Sequence, residues 1–295
     1  MRRWQKINCV SWRLPTVLAV LALGSAVWLR APGLDVRDGR DDRGRNGIVL
    51  GTSWIAGDVA KSALALGELA RALREHHIVE IYLQLPPPTA DGALPALDSA
   101  RTEALLYECY DARGWVQIAA PNFPLGDLRW RRFFIVDLRR LLDRHPRLRG
   151  VQLDFAATGE NPALLPFLDE LRTALATDAR PLSIAAGSWK EPFLREVARR
   201  ADQLILPLEV PASGFSRFSV SRSVERIAAT LSQCESKPVL LRIPADTRLR
   251  RGLGTAHLGL SQQPLPDTYQ GIVLDAGDGP GVAGWLDFRA RFVKP

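Results

Sequence analysis

From residue 47 onward, short apolar runs alternate with longer stretches whose apolar residues recur every three or four positions. The short runs predict strands over 47–52, 79–85, 115–120, 150–155, 181–186, 203–208, 238–243 and 271–275. The longer stretches predict helices over 59–75, 99–112, 131–144, 162–176, 192–200 and 223–233. A weaker stretch over 249–267, broken by Gly252, Gly254 and Gly259, and a closing helix over 283–292 complete the series. Near-continuous apolar strands are buried on both faces, the mark of a parallel sheet covered by helices. Eight such strand-helix units close into an α/β architecture, a (β/α)8 TIM barrel over 47–295, more readily than they lie open. The runner-up is an open doubly wound sheet, which usually carries a glycine fingerprint after its first strand. Here that position reads Thr52-Ser53-Trp54-Ile55-Ala56-Gly57-Asp58, which offers no phosphate cradle.

The pattern ahead of the barrel is different. Arg2, Arg3, Lys6 and Arg13 make residues 1–13 a basic lead without an acid, and 14–29 is uncharged throughout. A membrane helix needs about 20 apolar residues, so this N-terminal hydrophobic helix is short, within reach if Arg13 and Arg30 snorkel. Two readings stay open. The run is a signal anchor with its basic lead inside, or a cleaved signal peptide with Gly24-Ser25-Ala26 near the cut. Its continuation through Trp28 favours the anchor. Both export the body: the expected place is the periplasmic face of the inner membrane, or outside the cell if the signal is removed. Residues 30–46 alternate charge and glycine with little apolar content and read as a flexible charged linker.

The balance of 39 Lys and Arg against 32 Asp and Glu gives a net charge of +7. The arginines lie on helical patterns beside acids, as at Arg131, Arg132, Arg199 and Arg200, so they read as solvated faces and no nucleic-acid partner is expected. Cys9, Cys109 and Cys234 have no metal spacing; Cys109 and Cys234 read as small buried side chains, with a disulfide between them open in an oxidising compartment. His76, His77 and His145 end helices on the structural side of a barrel, and His257 falls in the loop after strand seven. No metal and no cofactor is expected, and neither a Gly-x-Ser-x-Gly turn nor a phosphate loop is present.

In a barrel the chemistry sits where strands end. Those positions hold Trp54, Gln84, Asn122, Asp154, Trp189, Glu209, Asp246, Asp275 and Asp278. Acids and amides bond hydroxyls and indoles stack on sugar rings, so the set suits a carbohydrate ligand. Each member also has a plainer account: strand ends are polar in any barrel, Asp246 is placed to cap a helix, and the tryptophans can cap the core.

The fourth unit is the sharpest feature. Leu148-Arg149-Gly150-Val151-Gln152-Leu153-Asp154-Phe155, followed by the helix from Asn161 and by Pro181-Leu182-Ser183-Ile184-Ala185, resembles the fourth and fifth units of chitinase-like, family 18 glycoside hydrolases. That family's fourth strand reads Asp-Gly-x-Asp-x-Asp-x-Glu, and the resemblance implies that the last Glu protonates the glycosidic oxygen while the preceding Asp orients the substrate. Here Gly150 matches the glycine and Asp154 the last aspartate, Arg149 and Gln152 replace the earlier aspartates, and Ala156 stands where the acid belongs. A methyl group donates no proton. Either another carboxylate takes over, from Glu160, Glu209 or Asp275, or the site binds glycans without cleaving them. The expectation is an envelope-associated, membrane-tethered barrel acting on or binding a polysaccharide. Asp154, Glu209 and Asp275 are its candidate catalytic groups. Trp54, Gln84, Asn122, Trp189, Asp246 and Asp278 are its candidate binding groups. The alternatives are an inactive glycan-binding or scaffold protein, and a rim with no ligand at all.

Overall fold

The computed structural model describes residues 39–55, 63–120, 123–187, 189–208, 210, 225, 229, 231, 234, 237–261, 267–277 and 280–294. Eight parallel strands pair in sequence order and close on themselves, β1 lying against β8. They are β1 (Asn46–Leu50), β2 (Ile78–Leu85), β3 (Arg113–Ala119), β4 (Leu148–Asp154), β5 (Leu182–Ala185), β6 (Gln203–Pro207), β7 (Val239–Pro244) and β8 (Tyr269–Asp275). Closure excludes the open doubly wound sheet. Seven helices are described: α1 (Ala63–Glu75), α2 (Ser99–Glu108), α3 (Leu128–Arg144), α4 (Leu164–Ala176), α5 (Glu191–Arg200), α6 (Leu249–Ser261) and α7 (Val282–Arg291). The starts of α2 and α3 are fixed by caps. Asp98 accepts from Arg101 N, and Asp127 from Arg129 N and Trp130 N, which satisfies amides that have no partner inside the helix. Glu225, Ala229 and Leu231 are helical, within the stretch expected to form a helix.

Strand parity divides the interior. Ile48, Leu50, Ile81, Leu83, Val116 and Ile118 point outward and pack under the helices in the main core. Val49, Tyr82, Trp115, Ala185, Ile205, Leu240 and Val273 point inward and form a second cluster along the barrel axis. The same inward parity carries Glu80, Gln117, Gln152, Ser183 and Gln203, all buried. The strands therefore alternate instead of being uniformly apolar. At the N-terminal end, Glu80 accepts from the Tyr82 hydroxyl and from Gln203 Nε2 at 2.8 Å. Burial, and then the Glu80 carboxylate, hold the Tyr82 phenol well above its ordinary range.

Two expectations are corrected here, the extent of the linker and the place of His257. The linker does not reach residue 46: Asp41 and Asp42 are buried, so the domain is folded from Gly39 at the latest and not from Gly47. Asp42 accepts from Gly44 N, Asn46 Nδ2 and Lys294 N at 2.8–3.0 Å and lies 2.9 Å from His77 Nδ1, which ties the segment before β1 to the segment after α7. The glycine-broken stretch is helix α6 up to Ser261, because its glycines admit close packing; a Cβ on Gly252 would meet Ile243 at 2.4 Å. His257 consequently lies inside a helix, with Nδ1 2.6 Å from Asp41, and not in a rim loop. Cys109 and Cys234 are buried and unpaired, so no disulfide joins them. Residues 14–29 lie outside the described residues, within which no helix is long and apolar enough to cross a membrane.

Candidate functional site

Inward parity places Gln152 below Asp154 on β4 and Leu240 below Arg242 on β7. Asp154, at the last position of its strand, reaches the C-terminal mouth, where a cavity of about 390 Å3 opens. Its lining includes Asp154, Ala156, Ala157, Arg242, Pro244 and Asp275. That volume is at the lower end of small-molecule sites, which run from roughly 300 to 1,000 Å3.

Arg242 organises the cavity. Its Nη1 binds Asp154 Oδ2, while Nε and Nη2 bind Asp275 Oδ2 at 3.0 and 2.7 Å. Gln117 Nε2 donates to Asp154 Oδ2 at 3.0 Å, and the Ala156 amide donates to Oδ1 at 3.0 Å. Every contact to Asp154 therefore uses it as an acceptor. The Arg242 side chain is 15 % exposed and Asp154 12 %, against 38 % for Asp275. Burial is the largest influence on Arg242 and works against its charge. Asp154 and Asp275 outweigh it and hold the guanidinium above its ordinary pKa. A guanidinium flanked by two carboxylates is a rigid, planar array of donors and acceptors, suited to bonding hydroxyls.

The remaining sequence candidates divide. Asp275 joins Asp154 at the cavity. Gln84 is half-buried at the end of β2, on the barrel-facing side, and does not line it. Trp54 is buried in the outer core, so its indole faces are covered and it offers no stacking surface. Trp189 is half-buried against Phe155 and Phe193, and its Nε1 donates to Thr158 O at 3.1 Å, which fixes it as a brace between the loops after β4 and β5. Asp246 is exposed and occupied by Arg248, its Oδ1 accepting from Arg248 N and its Oδ2 from Nη2 at 2.6 Å; these bonds pull its pKa down. It caps the approach to α6 instead of facing the cavity. Glu160 accepts from Lys190 N and is spent the same way. Asn122, Glu209 and Asp278 lie outside the described residues.

Two features escaped the sequence reading. Arg242 is the first, and its signal was a lone charge inside the apolar run Val239-Leu240-Leu241-Arg242-Ile243. A buried charge requires partners of opposite sign. The second is a neighbouring cavity of about 430 Å3, lined by Pro87, Pro88, Phe123, Pro124 and Trp130, which shares Ala119 with the first. Phe123 is half-buried in this cavity, whereas Trp130 is buried in the main core with its ring stacked on Phe134, so Phe123 is the ring that can meet a ligand there. Among the described residues no group of three His, Cys, Asp or Glu side chains is placed to hold a metal.

The spore cortex-lytic enzyme SleL of Bacillus megaterium QM B1551 superposes with a TM-score of 0.58 at 12% identity, over 85% of this chain and 75% of that one. The fold is that of these hydrolases. The Group IV chitinase of Ostrinia furnacalis follows at 0.53 and 12%, over 82% and 98%. The family 18 chitinase ChiB of Flavobacterium johnsoniae gives 0.51 and 13%, over 83% and 93%. No protein-family model matches the chain, and neither does any curated protein.

Proposed function

We propose that this chain is a glycan-binding barrel of the cell envelope that holds a polysaccharide at its C-terminal mouth without hydrolysing it. One observation carries the reading. The two carboxylates of the cavity, Asp154 and Asp275, are both committed to Arg242, and Ala156 lines the wall where the resemblance expects a proton donor. Hydrolysis requires a carboxyl that gives up a proton and a second group that attacks or stabilises the sugar cation. A carboxylate clamped by a guanidinium, an amide and a main-chain N–H is arranged to accept hydrogen bonds, not to deliver a proton. Sugar hydroxyls would donate to the free lone pairs of Asp275 and Asp154, and a ring face would lie toward the half-buried Phe123 in the cavity that shares Ala119.

Location belongs to the same proposal. The basic lead and the apolar run over 14–29 support an exported body tethered at the periplasmic face of the inner membrane, or released if the segment is cleaved.

The test uses chito-oligosaccharides and isolated cell-wall glycan, matched to the chitinases and cortex-lytic enzymes that share the fold. The full chain should bind one of them saturably, release no reducing sugar on prolonged incubation, and lose affinity about tenfold or more with Asp275→Asn, as one charged hydrogen bond is removed. Release of soluble sugars that disappears with Asp154→Asn or Asp275→Asn would make it a hydrolase. Absence of binding to every glycan ends the carbohydrate reading.

A further inference from the structure

The opposite, N-terminal mouth of the barrel collects positive charge. Arg43 and Arg45 lead into β1, Arg113 opens β3 and Arg149 is the second residue of β4; all four are exposed. Arg45 Nη1 donates to Gln270 at 2.7 Å. Arg149 lies 5.7 Å over the ring of Trp115. Among the described residues none of Arg43, Arg113 and Arg149 forms an ion pair. The acids nearby are already engaged: Glu80 by Tyr82 and Gln203, and Asp202 by the Leu182 amide at 2.8 Å. Burial first, and then the like charge of Arg113, pull the Arg149 pKa down, partly offset by Glu80. Cations commonly collect at helix C-termini because the macrodipole favours them there. Helices α2 and α3 do end on this face, but Arg113 and Arg149 each stand five residues past the last helical one, where that field has fallen off.

Aromatic rings adjoin them. Tyr107 and Tyr110, 64 % and 74 % exposed, flank the C-terminal end of α2 beside an open groove of about 700 Å3. Arg147 lies 5.3 Å from the Tyr107 ring and pairs with Glu103 at 3.6 Å, as Arg74 does with Asp111 at 3.8 Å. Glu108 also lines the groove, so the excess positive charge is at Arg43, Arg45, Arg113 and Arg149. Exposed tyrosines interleaved with arginines are the composition of a surface seated in a headgroup layer, where the rings lie at the boundary and the cations meet phosphate. The chain also enters on this side: Gly39 leads directly to β1, and only residues 30–38 separate it from the uncharged run that ends at Leu29.

We propose that the N-terminal mouth of the barrel docks on anionic phospholipid headgroups. The tether supplies nearness and the arginines supply orientation, so the Asp154 cavity faces away from the bilayer, toward the polysaccharide. The orientation rests on the proposed tether, whereas the charge of this mouth is independent of it.

The full chain is mixed with vesicles of phosphatidylcholine alone and of phosphatidylcholine with phosphatidylglycerol, then followed by flotation and by hydrogen exchange. Flotation with the anionic vesicles only, abolished by high salt, supports docking without insertion. Flotation with both supports it where exchange around residues 107–113 and 147–150 slows on anionic vesicles alone. The triple variant Arg43→Gln, Arg113→Gln, Arg149→Gln should reverse either effect. At roughly fivefold per arginine near an anionic leaflet, reversible binding should fall about a hundredfold. Flotation with neither vesicle overturns the proposal, as does equal exchange on both or an unchanged triple variant. Equal exchange on vesicles that both carry the chain removes the docking and leaves the tether standing. Glycan binding in solution is read separately.

Discussion

Arg242 joins two carboxylates across the barrel mouth, and removing it strands Asp154 in a place that is only 12 % exposed. Breaking a buried pair from one side is expensive because the other charge loses its partner while staying out of water. Arg242→Gln should therefore lower stability by roughly 3 kcal/mol, seen as a reduced urea midpoint with an unchanged slope. The buried thiols make a second prediction. Burial, and for Cys109 also the charge of Glu108, push the Cys109 thiol up to about 12; burial alone pushes Cys234 up to about 11. The unfolded thiol titrates near 8.5. A native state that holds its protons more tightly loses stability as pH rises through that value toward the folded ones. The urea midpoint should fall across that alkaline window, Cys109→Ala should flatten the fall, and alkylation of native protein at neutral pH should leave both thiols unlabelled.

At the scale of elements, glycine placement distinguishes close approach from accident. A Cβ on Gly150 would lie 2.2 Å from Pro181 O, where β4 pairs with β5. Backbone on both sides cannot give way, so Gly150→Ala should cost about 3 kcal/mol, read as a lowered Tm. Gly67 within α1 has nothing within 4 Å of a Cβ. Gly67→Ala should therefore gain up to about 1 kcal/mol from helix propensity alone. The same reasoning accounts for α6, whose glycines looked like helix breakers until Ile243 and Val210 were found pressing against Gly252.

The whole molecule is closed by side chains distant in sequence. Asp42, whose side chain is 1 % exposed, gathers Asn46, His77 and Lys294 at the N-terminal end of the barrel. Asp42→Ala removes four contacts from one buried carboxylate. It should destabilise the fold by about 3 kcal/mol, with the loss of protection by hydrogen exchange concentrated at β1 and the end of α7. The two mouths differ in chemistry: one carries the Arg242 array and a cavity, the other exposed arginines and tyrosines. A tether on the second mouth and a ligand on the first would give the barrel a direction across the envelope.

Local chain physics determined a great deal. Alternating runs marked all eight strands to within a few residues, because burial on both sides of a strand is written in its neighbours along the chain. Their positions at the ends of predicted strands put Asp154 and Asp275 at the mouth. What the sequence could not supply was which distant groups meet. The union of β4 and β7 through Arg242, the retreat of Trp54 into the core, and the capture of Asp246 by Arg248 depend on side-chain directions and barrel closure. The folding of residues 39–46 belongs with them: a charged stretch looks unable to order itself until His77, Lys294 and His257 arrive to bind its aspartates. Periodicity encodes the environment of a residue along its own strand or helix, whereas its partners across the barrel are fixed only when the ring of strands closes.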